Sequence, residues 1–341
     1  MKSMKTFGVF ILIMSGLMFI AACGSNDSSD NDTEGAESSG DAEYTLRVGI
    51  TQNDQNAEYE GIEQFKERVE ERTDGAIKIE TYHSDQLASV PDLIEQASTG
   101  NSVGTITDAG QIGDLKNEFY VLQSPYMFQN NEQIDKFLES DLYQEWVDDF
   151  SAQGLQILSF NWKLGERNLA TTNKIETIED VKGNVIRTNG SQIVDETISS
   201  MGGSPSGMPW TEAYPGLEQG VIDGVEAHNL AIYESSLHEV INHIARTNHF
   251  QLVSGLVASA DWFNGLPEEF QEIVIEEAQA AGDTAAEIAA EKSAEYEELM
   301  IEEGVEFHDV DQEEFRKMTQ KAYESVGLEE ARKQVNEVIQ E

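Results

Sequence analysis

Two of the chain's eight arginines, Arg167 and Arg187, stand twenty residues apart near the ends of predicted strands. A guanidinium presents a planar fork that meets a carboxylate through two parallel hydrogen bonds, a geometry lysine cannot copy. Arg187 precedes Thr188-Asn189-Gly190, where a strand breaks into the polar start of a helix. Two roles suit such residues: reception of an organic anion in a desolvated cleft, or an internal salt bridge to one of the chain's many acids. Asp108 follows the predicted strand Val103 to Thr107, and Gln52 and Asn53 follow the first strand. All three therefore occupy strand ends, where open α/β sheets place ligands. A solvated loop residue is the competing reading for each.

Signatures of catalysis are poor. Gly203-Ser204-Pro205-Ser206-Gly207 has proline at its centre, so it is not a G-x-S-x-G elbow. His238, His243 and His249 lack H-E-x-x-H spacing, and a single cysteine supplies no thiolate set, so no metal site is expected. No G-x-G-x-x-G or Walker loop appears. The expectation is a protein that is not an enzyme and uses no cofactor.

The frame that must hold these residues alternates strands and helices. Tyr44 to Ile50 alternates apolar and polar side chains, and Glu58 to Arg72 puts Tyr59, Ile62, Phe65 and Val69 on one helical face. Ala76 to Tyr82 alternates again, a helix follows from Pro91 to Gly100, and Val103 to Thr107 is the next strand. This order is that of a doubly wound α/β domain. Leu155 to Phe160 and Val185 to Arg187 read as strands of a second such unit. From Pro267 to about Glu303 the chain is rich in Ala and Glu with one interior glycine, Gly282. A continuous helix there would be roughly 55 Å long, longer than a domain is wide. Its apolar positions keep no clean heptads, so a brace along two domains explains it better than a coiled-coil arm.

The 341 residues carry 65 Asp and Glu against 21 Lys and Arg, a formal net charge of −44. Such a surface repels phosphate backbones, so nucleic acid is excluded as a partner. It also fits a secreted protein from salty or alkaline surroundings. Lys2 and Lys5 precede an uncharged run from Phe7 to Ala22, shorter than the ~20 residues of a membrane span but suited to an export signal. The run ends Ile20-Ala21-Ala22-Cys23, and Cys23 is the only cysteine, which excludes disulfides. Aliphatic, small, small, Cys resembles the lipobox of bacterial lipoproteins, which implies lipidation of Cys23 and a membrane anchor. Gly24 to Glu43 holds seven acids and no base, a composition that cannot bury a core and predicts a solvated tether.

The most specific stretch runs through Gly165–Ile175 (GERNLATTNKI), Asp180–Ile193 (DVKGNVIRTNGSQI) and Gly202–Glu226 (GGSPSGMPWTEAYPGLEQGVIDGVE). It resembles the solute receptors of tripartite ATP-independent periplasmic (TRAP) transporters, the DctP family. Lys182-Gly183, Arg187, Pro205, Met208, Glu212, Tyr214, Leu217, Gly220, Asp223, Gly224 and Glu226 fall in register with the family pattern. Ser84-Asp85-Gln86-Leu87 and Pro125-Tyr126-Met127-Phe128 match weaker signatures. The resemblance spans about residues 44 to 340. It departs in two places: Ala227-His228 stands where the family commonly has Asn-Pro, and an aromatic typical of metal-dependent keto-acid binders is missing.

The resemblance implies an α/β, two-lobed periplasmic-binding-protein-like fold with a ligand cleft between the lobes. It assigns Arg187 and Arg167 to a ligand carboxylate and an aromatic ring, Trp210, against the ligand, where a core tryptophan is the alternative. Asp108, Gln52 and Asn53 join the site, and His228 or Asn229 replaces the departed family Asn. The expected division is a lipoprotein signal over 1–22, a tether over 23–43, lobe I over 44–164 plus about 253–292, and lobe II over 165–252 plus about 293–341. The implied function is an extracytoplasmic, lipid-anchored receptor that delivers an organic acid to a permease of one small and one large membrane subunit, driven by an ion gradient. A receptor for an ATP-driven importer, a secreted hydrolase and a sensory or adhesive surface protein are the alternatives.

Overall fold

The computed structural model describes residues 42–340. The export run, Cys23 and nearly all of the tether lie outside the described residues. The first half of the chain forms β1 (Tyr44–Gly49), α1 (Ala57–Arg72), β2 (Ile77–Tyr82), α2 (Val90–Ser98), β3 (Val103–Asp108), α3 (Ala109–Ile112), α4 (Asn131–Leu138), α5 (Asp141–Ser151) and β4 (Leu155–Thr171). Then come β5 (Val185–Thr188), α6 (Gln192–Met201), β6 (Ser204–Gly207), α7 (Ala213–Glu218), β7 (Gly224–Ala227), α8 (Asn229–Glu234) and β8 (His243–Ser259). The chain ends with α9 (Ala260–Asn264), α10 (Glu268–Glu302), β9 (Glu306–Asp309), α11 (Gln312–Val326) and α12 (Glu329–Gln340). Among the described residues no helix is long and apolar enough to cross a membrane.

Local signals start these elements where the pattern predicts. Asn56 accepts the Glu58 amide and caps α1, which buries Ile62, Phe65 and Val69 along one face. Ser89 caps α2 just before Pro91, whose missing N–H costs nothing in a first turn.

The strands do not form two separate doubly wound sheets. One mixed sheet runs in the order β2-β1-β3-β8-β4-β7-β5-β6. In one lobe β1 pairs in parallel with β2 and β3; in the other β5 pairs in parallel with β6 and β7. Two 17-residue antiparallel strands, β4 and β8, pass through both lobes and join them. The predicted strand Leu155 to Phe160 is only the start of β4. Strand β8 pairs β3 along Gly104–Asp108 near its end and β9 along Glu306–Asp309 at its beginning. Register shifts interrupt β4 beside Gly165, whose φ of +107° demands glycine although a Cβ there would meet nothing within 4 Å.

Helix α10 is continuous over 35 residues, as the composition predicts, and packs against α1, β4 and α8. It therefore braces both lobes. Its interior glycine has a packing reason: a Cβ on Gly282 would lie 2.9 Å from the Trp162 ring, and one on Gly61 of α1 would lie 2.7 Å from the same ring. Both helices leave room for a fully buried tryptophan of β4, and truncating such a ring typically costs about 3–5 kcal/mol. At the C-terminus helix α12 packs on α4, with Ala331, Val335 and Ile339 joining the cluster that holds Ile134 and Phe137, while α11 packs on α6.

Candidate functional site

A cleft of about 380 Å³ lies between the ends of β1, β3 and β5, with β8 and the β7–α8 junction completing its wall. Arg187, on β5, is 6% exposed. Its Nε and Nη2 both donate to the Met208 carbonyl, at 3.0 and 2.8 Å, and its guanidinium lies 5.0 Å from the centre of the Trp210 ring. No carboxylate among the described residues forms an ion pair with it within 4.0 Å. Burial pulls the guanidinium down to about 10, so it stays charged at neutral pH. Met208 and Trp210 come from the loop after β6 and fix the direction of the fork.

Arg167 is held differently. From β4 it donates Nε to Glu226 Oε2 at 2.7 Å and Nη2 to the Glu226 backbone carbonyl at 2.6 Å and to Oε1. Glu226, on the neighbouring β7, is fully buried. Burial would raise its carboxyl, but the Arg167 charge, the Arg167 hydrogen bonds and the nearby His249 ring outweigh that and lower it. The salt-bridge alternative thus describes Arg167: its charge is matched inside the protein, although the side chain still lines the cleft.

The remaining predicted residues divide. Trp210 is half-buried, not a core residue; its ring lines the cleft and its indole N–H donates to Ser235 Oγ at 2.9 Å. Asp108 also lines the cleft and is no solvated loop acid. It caps α3 through the Gln111 amide at 3.1 Å and accepts from Asn189 Nδ2 at 3.0 Å, and burial raises its carboxyl. Gln52 is on the cleft wall. Asn53 is not; its Nδ2 donates to the Glu234 carbonyl at 3.0 Å, joining the loop after β1 to the end of α8.

His228 and Asn229 are adjacent but face apart. His228 lines the cleft with an unpartnered Nδ1, and burial, with help from Arg167, lowers the ring to about 3, so it is neutral. Asn229 turns away: it lines a second cavity of about 290 Å³ and donates to Glu297 Oε2 of α10 at 3.3 Å. His228 is still extended at the β7–α8 junction, so consecutive side chains point to opposite sides, which removes Asn229 from the cleft.

Sequence reasoning missed Glu58. It is the second residue of α1, 6% exposed, and lines the cleft. Burial raises its carboxyl to about 7, with Asp108 and Glu234 adding to the effect and the Ser254 hydroxyl opposing it. An acid in a first helical turn ordinarily serves the helix dipole; its place at the start of the helix that follows β1 was the available signal.

Among the described residues the cleft therefore offers one buried cation without a carboxylate partner, an aromatic wall, and several acceptors. That arrangement binds and orients a small anion.

Comparison with known proteins agrees. The profile of the bacterial extracellular solute-binding protein family 7, DctP, matches residues 48–330. A solute-binding protein of Chromohalobacter salexigens is 31% identical over 260 residues, covering 73% of this chain and 74% of its own. A TRAP periplasmic solute-binding protein from Ochrobacterium anthropi, solved with bound L-fuconate, superposes with a TM-score of 0.84 at 29% identity, over 87% of this chain and all of its own. One from Escherichia fergusonii, solved in an apo open form, gives 0.77 at 34% identity, over 86% of this chain and 99% of its own. The chain belongs to family 7 of the bacterial extracellular solute-binding proteins, the solute receptors of TRAP transporters.

Proposed function

We propose that this receptor binds a hydroxylated monocarboxylate of the sugar-acid class and hands it to a TRAP permease of one small and one large membrane subunit. The observation that carries this reading is Arg187, buried in the cleft without a carboxylate partner among the described residues. A lone desolvated cation is costly unless a ligand supplies the missing charge. The ligand carboxylate docks on Arg187 with its body against Trp210. Its hydroxyls meet Asp108, Glu58, Gln52 and the His228 ring. Because Glu226 already neutralises Arg167, a second carboxylate would face Glu58 and Asp108 with no free cation, which disfavours dicarboxylates. The L-fuconate bound by the O. anthropi relative is of the favoured class.

Lobe I comprises 44–164 and about 253–292, and lobe II 165–252 and about 293–328, with α12 returned to lobe I. The lobes close over the ligand by bending of β4 and β8 near Gly165. Contacts across the cleft, Asn53 to Glu234 and Asn189 to Asp108, support a closed form here. So does the better superposition on the L-fuconate complex than on the open form, despite lower identity. The receptor itself performs no catalysis and needs no cofactor, and Cys23 carries the lipid that holds it outside the cytoplasmic membrane. Calorimetry with L-fuconate and other sugar acids against succinate tests the substrate class. Saturable binding of a sugar acid with none of succinate supports it; the reverse order overturns it.

A further inference from the structure

Away from the cleft, three metal-ligating side chains converge at the outer end of the sheet. His243 opens β8, and Glu306 and His308 stand two residues apart on β9; His243 pairs with Glu306 in the ladder, so all three share one face. His243 Nδ1 lies 3.1 Å from His308 Nε2, and Glu306 Oε2 lies 3.7 and 3.6 Å from those same two atoms. The carboxylate distances are too long for hydrogen bonds. They are right for something between: a point about 2.0 Å from all three atoms exists, which matches zinc–nitrogen and zinc–oxygen bond lengths. A histidine–histidine hydrogen bond alone accounts for the first distance but leaves the equidistant carboxylate oxygen unexplained.

We propose that His243, His308 and Glu306 bind a divalent transition-metal ion, Zn²⁺, with water completing its shell. Two imidazoles and one carboxylate suit zinc, whereas calcium and magnesium prefer shells of oxygen. The rings are mostly covered, with side-chain exposures of 19% and 12%, while Glu306 at 65% leaves an open side for water and for entry of the ion. The Lys174 ammonium nearby pairs with Glu176 at 2.9 Å. Sequence spacing could not reveal the set, because its members lie on two strands paired only in the fold. The ion would clip β9 to β8. Strand β9 joins the brace α10 to α11, so the clip fixes the far end of the brace in lobe II. Its role is structural and separate from ligand binding in the cleft.

The test is a Zn²⁺ titration of the chelator-treated, purified protein by calorimetry, with Co²⁺ absorption as an optical readout. We expect one saturable site, a visible Co²⁺ band, a higher melting temperature with Zn²⁺, and no displacement by excess Mg²⁺. His308→Gln should abolish all of these, and His83→Gln should abolish none. Glu306→Gln alters an exposed side chain and so tests the same site if the histidine variant folds poorly. Absence of a saturable site in the wild type, or an unchanged isotherm in both His308→Gln and Glu306→Gln, overturns the proposal.

Discussion

Arg167 grips Glu226 through both its carboxylate and its backbone carbonyl, on adjacent strands at the wall of the cleft. That pair divides the work of the two arginines. Arg167 is a fixed, internally neutralised part of the wall, whereas Arg187 has no carboxylate partner among the described residues. Breaking a buried pair by removing one partner typically costs about 3–5 kcal/mol, because the other charge stays buried. Glu226→Ala should therefore lower the apo protein's unfolding midpoint in denaturant, and an unchanged midpoint would contradict the assignment. The carboxyl is lowered in the folded state, so its contribution is present above the ordinary carboxylate pKa and is lost as pH falls through the folded value. The difference in stability between wild type and Glu226→Ala should thus shrink in acid below about pH 4.5.

Glu58 has the opposite sign. Its carboxyl is raised to about 7 in the folded state, so between the ordinary carboxylate value and pH 7 the native state holds more protons than the unfolded one. Stability from this group is then full in acid, falls as pH rises across that window, and levels off above it, by an amount of about 3 kcal/mol. Glu58→Gln should remove that slope. Thermal melts from pH 4.5 to 8 should show the variant gaining on wild type as pH rises; parallel curves would refute the effect.

Much of this architecture is legible in residue patterns, and the exceptions have physical causes. The long brace follows from a proline-free Ala/Glu stretch, and Arg187 follows from its motif and its position at a strand end. The single mixed sheet does not, because nothing local states that β8 pairs β3 at one end and β9 at the other. Nor does the choice between His228 and Asn229, since one residue of register at a strand–helix junction decides which side faces the cleft. The packing of α12 on α4 is hidden for a similar reason: an amphipathic face shows that a helix packs but not on what.

The lobes should close on the ligand. Solution scattering should give a smaller radius of gyration with saturating sugar acid than without it. Gly165→Val should hamper the transition, because a β-branched residue resists the positive φ that β4 adopts there. An identical radius in both states would speak against hinge closure.

Lipidation of Cys23 predicts a membrane-bound protein. Cys23→Ser should leave the precursor unprocessed or release the mature chain into the soluble fraction. Normal processing and detergent extraction of that variant would exclude a lipid anchor at this residue.

Arg187 is the centre of the account. Calorimetric affinity for the preferred sugar acid, measured on wild type, Arg187→Lys and Arg187→Ala beside the apo melting temperature of each, tests it most directly. Truncating one partner of a buried charge pair costs about 2–5 kcal/mol, so Arg187→Ala should bind roughly 30- to several-thousand-fold more weakly. Arg187→Lys should fall between the two, keeping the charge but losing the fork. Apo stability should change little, because the guanidinium of Arg187 has no carboxylate partner among the described residues to lose. Wild-type affinity in Arg187→Ala, with a lowered apo melting temperature, would show that Arg187 supports the fold and does not receive the ligand's carboxylate.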